Sequence, residues 1–244
     1  MKIKNQKRCC TYLLIAIFAF ADANATDGEK FALLCDDDSV DTDLRVHSCS
    51  LASKAYIKEE NYSKAINYIE KSCNLNSGSG DKSDDDECYG LGLMYHTGFM
   101  VKQDYSKAKT YYEKSCNLIN HSYACTMLGL LYNDGSGVKQ DYSKANGYFE
   151  KACNLNSGEG SSKGCYVLAT SYFTGEYYSK AKVYFEKACN LNNALGCFHT
   201  GLLYGAGMGG KQNLSMAKWF FGRACDLGNK EGCEHYRKLN EDGF

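Results

Sequence analysis

Apolar and small residues recur along this chain at helical spacing, and the same stripe returns several times. Cys88, Leu91, Gly92 and Tyr95 occupy i, i+3, i+4 and i+7 of one face. Cys125, Leu128, Gly129 and Tyr132 repeat it, as do Cys165, Leu168, Ala169 and Tyr172. A second stripe follows each of these, as in Ala108, Tyr111, Tyr112 and Ser115, ending at Cys116. Both predict amphipathic helices, so the unit is a helical hairpin. Tyr-Ser-Lys-Ala opens the second helix at Tyr62, Tyr105, Tyr142 and Tyr178, with the variant Leu214-Ser215-Met216-Ala217. The first-helix cysteines Cys49, Cys88, Cys125, Cys165, Cys197 and Cys233 follow at spacings of 39, 37, 40, 32 and 36 residues. Gly in a helix costs about 1 kcal/mol relative to Ala. The recurrence of Gly92, Gly129 and Gly201 therefore asks for close helix packing, with tyrosines filling the space beside it.

The link inside the hairpin has two lengths. Core Tyr to core Ala is 9 residues in units one and four (Tyr56 to Ala65, Tyr172 to Ala181). It is 13 in units two, three and five (Tyr95 to Ala108, Tyr132 to Ala145, Tyr204 to Ala217). The long links carry Gly and Lys-Gln, as in Gly135-Ser136-Gly137-Val138-Lys139-Gln140. On these residues the chain resembles the Sel1-like repeat family, a relative of the tetratricopeptide repeat, over about residues 47–236. The shorter units have the tetratricopeptide spacing. The resemblance implies an all-α fold, a right-handed α/α superhelix of hairpins in a single solenoid domain over residues 26–244. Its repeats fall near 49–87, 88–124, 125–164, 165–196 and 197–232, with a C-terminal cap at 233–244 and a helical fragment ending near Cys35. Glu234, Arg237, Lys238 and Asn240 give the last helix the polar covering of a cap.

The first 25 residues have the layout of a secretory signal peptide. Lys2, Lys4, Lys7 and Arg8 precede a short apolar core from Cys9 to Ala21, and Ala23-Asn24-Ala25 is an A-x-A cleavage site. The expected product is secreted or periplasmic, cut near Ala25. Removing four basic residues and Asp22 from 28 Lys+Arg and 29 Asp+Glu leaves a net charge of −4. A mildly acidic chain without a basic patch argues against nucleic acid as partner. No later apolar stretch reaches spanning length, so the mature chain is expected not to span a membrane; separately, it is expected to be a monomer.

Apart from Cys9 and Cys10, the cysteines fall into six near-neighbour pairs: Cys35/Cys49, Cys73/Cys88, Cys116/Cys125, Cys153/Cys165, Cys189/Cys197 and Cys225/Cys233. In each, one Cys closes a helix and the other opens the next, within reach of a disulfide. In an exported chain an even, patterned count reads as a disulfide framework. Zinc competes, since His47, His199 and His235 each lie two residues from a Cys. No C-x-x-C exists, however, and the pairs do not converge, so no metal or cofactor is expected. One disulfide per repeat with an export signal is similar to the Helicobacter cysteine-rich protein family. That family separates paired cysteines by seven residues, as Cys189/Cys197 and Cys225/Cys233 do. The inserts Ser77 to Glu87 and Asn156 to Lys163 depart from this pattern and are expected to be exposed loops.

That family carries a penicillin-binding or β-lactamase label, so the resemblance implies a β-lactam-binding protein or weak β-lactamase as the alternative function. Such enzymes pair a Ser nucleophile with a Lys one turn later. S-x-x-K occurs at Ser79/Lys82, Ser106/Lys109, Ser179/Lys182 and Ser215/Lys218. Three of these recur where the second helix begins, which reads as a Ser near an N-cap and a solvated Lys. Neither S-D-N nor K-T-G is present, so no catalytic residue is assigned. Asp36-Asp37-Asp38 and Asp84-Asp85-Asp86-Glu87 lack EF-hand spacing and read as solvated loops entering helices. The five histidines have no recurrent partner from which to draw a triad.

By resemblance to tetratricopeptide repeats, the binding groove is lined one, five and eight places after each opening Cys. These are Ser50, Lys54 and Ile57; Tyr89, Leu93 and His96; Thr126, Leu130 and Asn133; Tyr166, Thr170 and Phe173; Phe198, Leu202 and Gly205. Tyr89, Tyr166, Phe173 and Phe198 are large aromatics where the core needs none. They read either as peptide anchors or as cover for neighbouring helices. The expected function is an exported scaffold that binds a peptide, a protein or a cell-wall component, with host surfaces among its candidate partners.

Overall fold

The computed structural model describes residues 26–75 and 87–244. The expected signal segment, the insert from Ser77 to Asp86 and the Ser79/Lys82 pair lie outside the described residues. The chain divides into two compact units, one ending at Gln103 and the other starting at Asp104. The described residues are helical throughout, without strands.

Unit 1 contains α1 (Asp27–Asp36), α2 (Thr42–Lys58), α3 (Tyr62–Leu75) and α4 (Glu87–Thr97). Unit 2 contains α5 (Tyr105–Lys114), running into a π-helical turn (Ser115–Ile119), then α6 (Ser122–Asp134), α7 (Tyr142–Asn154) and α8 (Gly158–Thr174). It ends with α9 (Tyr178–Asn190), α10 (Ala194–Ala206), α11 (Leu214–Asp226) and α12 (Lys230–Glu241). Within each unit every helix packs on the next in sequence, the arrangement of a solenoid.

The sequence stripes become the hairpin interior. The first-helix Tyr lies flat on an aromatic of the second helix in four hairpins: Tyr56 on Tyr68, Tyr132 on Tyr148, Tyr172 on Tyr184 and Tyr204 on Phe220. Each pair is 5.6 Å between centroids. The Lys of Tyr-Ser-Lys-Ala covers the outer edge of this stack: Lys64, Lys144 and Lys180 sit 5.0, 5.3 and 5.3 Å from the rings of Tyr56, Tyr132 and Tyr172. The Ala beside it is buried in every copy. Gly129 and Gly201 serve rings: a Cβ there would stand 2.5 Å from Phe149 and 2.7 Å from Phe221.

The long link has a fixed chemistry. Gly135 and Gly207 end α6 and α10 in the left-handed conformation. The Gln five residues later then donates back to a first-helix carbonyl, Gln140 to Asn133 and Gln212 to Gly205, both at 2.7 Å. Asp141 and Asn213 next cap α7 and α11 through side-chain oxygens. Asp104 does the same for α5, so the cap is this Asp or Asn and not the Ser of Tyr-Ser-Lys-Ala.

Six disulfides join successive hairpins: Cys35–Cys49, Cys73–Cys88, Cys116–Cys125, Cys153–Cys165, Cys189–Cys197 and Cys225–Cys233, with Cα–Cα distances of 4.4 to 4.9 Å. Each ties the second helix of one hairpin to the first helix of the next, and no described thiolate is left for zinc. In unit 2 the spacing variations are absorbed in whole structural steps. Cys116/Cys125 are one residue further apart than Cys189/Cys197, and the π turn before α6 takes up that residue.

Cys153/Cys165 are four residues further apart, which is one turn of helix. α8 accordingly has 17 residues where α10 has 13. The expectation of an exposed loop over Asn156 to Lys163 is therefore corrected. Residues 158–163 are helical, and Gly160, Ser161 and Ser162 are buried. Their smallness is a packing requirement, since a Cβ on Gly160 would stand 2.4 Å from the Ser122 hydroxyl and 2.5 Å from the Tyr123 nitrogen.

Candidate binding face

The groove positions do not form one uniform surface. In unit 1, Lys54 is exposed, Ser50 is half-buried, and Ile57 packs against the core. Leu93 is exposed, Tyr89 and His96 are half-buried, and the His96 carbonyl accepts from Gln103.

In unit 2, Thr126 is withdrawn from the surface. It is buried, and its hydroxyl donates to the Gly160 carbonyl at 3.1 Å beneath the added turn of α8. Leu130, Asn133 and Gly205 are half-buried. Thr170 spends its hydroxyl on the Tyr166 carbonyl of its own helix. Leu202 is exposed.

Three of the four aromatics, Tyr166, Phe173 and Phe198, pack against neighbouring helices. Tyr166 contacts Phe185 and His199 at 5.7 and 5.6 Å, and Phe173 lies edge-on to Tyr178 at 5.4 Å. Phe198 contacts Phe221 and His235 at 5.8 and 5.7 Å. All three are half-buried. His199 and His235, which the one-five-eight rule omits, lie flat on the buried rings of Phe185 and Phe221, at 5.0 and 4.8 Å. The signal was a His two places after the opening Cys in two successive units. Its meaning required knowing which ring lies below.

Before the terminal α12, charge separates the two helix types in unit 2. From the opening Cys onward, α8 and α10 contain no Asp, Glu, Lys or Arg, and α6 contains only its terminal Asp134. The exposed or half-exposed aliphatic, Met and Phe side chains there include Met127, Leu130, Val167, Phe173, Phe198 and Leu202, interspersed with the uncharged polar Asn133, Thr170, Ser171, Thr174 and His199. The second helices carry the charges and use them between repeats. Lys151 donates to Asn117 and Lys187 to Asn154, at 2.9 and 2.8 Å. Tyr184 donates to Glu150 at 2.8 Å, and Tyr204 to Glu186 at 2.9 Å.

These phenols acquire shifted acidities. Burial, then the Glu150 carboxylate, pushes the Tyr184 phenol up to about 12. Burial and Glu186 raise that of Tyr204, burial and Glu113 that of Tyr148, and burial and Asp36 that of Tyr68. A raised folded value means stabilisation that is complete below the ordinary tyrosine value and lost as pH climbs from about 10 through about 12. Phenolate absorbance should therefore rise later in the folded protein than in guanidinium, and the melting temperature should fall above about pH 10. Superimposable titration curves for the folded and unfolded chains would contradict this.

The Ser-Lys pairs are occupied by packing. The Ser106 and Ser179 hydroxyls donate to the Gly137 and Gly209 carbonyls, at 3.4 and 3.5 Å. Lys109 pairs with Glu113, Lys182 lies over the Tyr204 ring, and Lys218 donates to Asn240. Among the described residues no cluster of three or more His, Cys, Asp or Glu could hold a metal. No described helix is long and apolar enough to cross a membrane.

Comparison with known proteins follows the same divisions. The Sel1 repeat model matches residues 88–120, 122–157 and 194–229. The tetratricopeptide repeat model matches 46–78 and 162–195, the two units with short links. No curated protein matches the chain. Among solved structures, a protective antigen of uropathogenic Escherichia coli with an SLR fold superposes at a TM-score of 0.70 and 16% identity. The match covers 96% of this chain and 49% of the antigen, so the chain spans about half that antigen's length. A Sel1 repeat protein from Oxalobacter formigenes gives 0.57 at 20% identity, covering 72% of each chain. Helicobacter pylori cysteine rich protein B is 36% identical over 56% of this chain and 98% of its own, with a TM-score of 0.43. With five units matched by two related repeat models, and 36% identity across nearly the whole of a cysteine-rich relative, this chain belongs to the Sel1-repeat family.

Proposed function

We propose that the protein is an exported binding scaffold that takes an uncharged, largely apolar peptide segment on the first-helix face of unit 2. The observation that carries this reading is the charge segregation: from their opening cysteines onward, α6, α8 and α10 expose apolar and uncharged polar side chains and, apart from Asp134, no charge, while the second helices carry charged side chains along their length. A contiguous apolar patch on a folded surface, unlike apolar residues scattered singly, marks an interaction site. Concave repeat surfaces are a common solution for peptide recognition. The absence of charged and planar amide side chains along α8 and α10, from their opening cysteines onward, favours a peptide over a cell-wall glycan, whose hydroxyls need such partners. Six disulfides support a destination in an oxidising compartment.

The test uses peptides selected by display against the oxidised protein. Leu202, 37% exposed, can change without opening the core, whereas truncating Tyr166 or Phe198 would remove packing. Leu202→Glu should weaken the selected peptides at least tenfold and leave the melting temperature nearly unchanged. Val183→Glu, on the exposed side of α9, should leave both unchanged. Peptides that respond to Val183→Glu and ignore Leu202→Glu would reject the assignment.

A further inference from the structure

The long links do more than turn the chain. Two of them, over 135–141 and 207–213, press on the start of the second helix one repeat earlier. Gly137, at φ +68°, lies so close to α5 that a Cβ would stand 2.5 Å from the Tyr105 Cβ and 2.7 Å from its carbonyl carbon. Gly209, at φ +71°, sits the same way on α9, with 2.6 Å to the Tyr178 carbonyl carbon and 2.7 Å to the Ser179 nitrogen. In both, the Ser hydroxyl of Tyr-Ser-Lys-Ala donates to the glycine carbonyl, from Ser106 to Gly137 and from Ser179 to Gly209. The chain thus shows twice what chemistry seals this position: a left-handed glycine, its carbonyl, and close backbone contact over the Tyr.

The seal is missing at α7. The link that should cover its start joins α8 to α9 and has only residues 175–177, where the sealing links run over 135–141 and 207–213. Tyr105 and Tyr178 are half-buried, but Tyr142 is 60% exposed. Tyr62 in unit 1 lies between these cases at 41%. There Met100, at φ +62°, stands where Gly137 and Gly209 stand in the other long links. The Ser143 hydroxyl is exposed and has no partner among the described residues.

We propose that Tyr142 and Ser143 form a docking site for a glycine-centred turn of a partner protein, which accepts a hydrogen bond from Ser143 and covers the Tyr142 ring as the chain's own links cover Tyr105 and Tyr178. This site is separate from the first-helix face, and either can fail without the other.

Two arms on the full oxidised chain test it. In the first, isotope-labelled protein is titrated with a cyclised peptide reproducing residues 133–141. Saturable shifts centred on Tyr142 and Ser143 are expected at millimolar peptide, lost with Ser143→Ala and with a peptide whose glycines are alanine. Shifts that survive both changes, or that centre on Leu202, would overturn the proposal. The second arm does not depend on peptide affinity. The link at residues 175–177 is replaced by the longer one at 135–141, and iodination of Tyr142 is followed by mass spectrometry. The grafted link should slow Tyr142 iodination several-fold and abolish the peptide shifts. An unchanged rate in a folded variant would show that the position does not accept such a turn.

Discussion

Reduction of all six disulfides is expected to unfold the protein at room temperature. The bridged cysteines are 8 to 15 residues apart, and the loops follow one another without overlap. In the chain-entropy model each such loop constrains the unfolded state by roughly 2.5–3 kcal/mol, and together they do so by roughly 15 kcal/mol. That matches or exceeds the whole net stability of about 5–15 kcal/mol typical of a domain. Five of the bridges are almost fully buried, whereas Cys225 and Cys233 are both half-buried. The Cys225–Cys233 bridge should therefore open first under thiol, followed by joint loss of the others with the helical circular dichroism. Timed alkylation and mass spectrometry would read the order. A fully reduced chain that kept its ellipticity and melting temperature would show that packing alone holds the repeats.

Gly209→Ala should be among the most damaging single-methyl changes available. A left-handed backbone costs an L-residue about 1–2 kcal/mol. The added Cβ also meets the Tyr178 and Ser179 backbone, which cannot swing aside as a side-chain tip can. Together these should cost about 3 kcal/mol or more, a fall of roughly 6–12 °C in melting temperature for a chain of this size. Gly228→Ala separates the two causes. Gly228 has φ +88° but nothing within 4 Å of its Cβ position, so only the conformational cost applies there. Equal melting temperatures for the two variants would mean that the link does not bear on α9.

The periodic parts of this structure were legible because the sequence repeats them. The first-helix stripe, the Tyr-Ser-Lys-Ala opening and the near-neighbour cysteines each carry their own spacing. The spacing also separated the two kinds of unit, and the tetratricopeptide matches fall on the short-linked ones. Contacts between repeats were not legible. Asn156 to Lys163 reads as a loop by its Gly and Ser content, yet four added residues make a full turn whose small side chains fit against Ser122 and Thr126. Composition is a weaker guide than helical register when an insertion is close to one turn. The aromatics after the opening cysteines raise the same difficulty. A stripe tells which side of a helix faces its own hairpin, but not that Phe185 and Phe221 lie ready to receive Tyr166, His199 and His235.

The proposed place for a peptide is the first-helix face of α6, α8 and α10. Paired photo-crosslinking tests it most directly, with the same benzophenone side chain placed at Leu202 on α10 or at Val183 on α9, both exposed positions of unit 2. A selected peptide should crosslink from position 202 and be competed away by unlabelled peptide, while position 183 gives only background. Competable crosslinks from position 183 with none from 202 would place the ligand on the charged second helices and contradict the account.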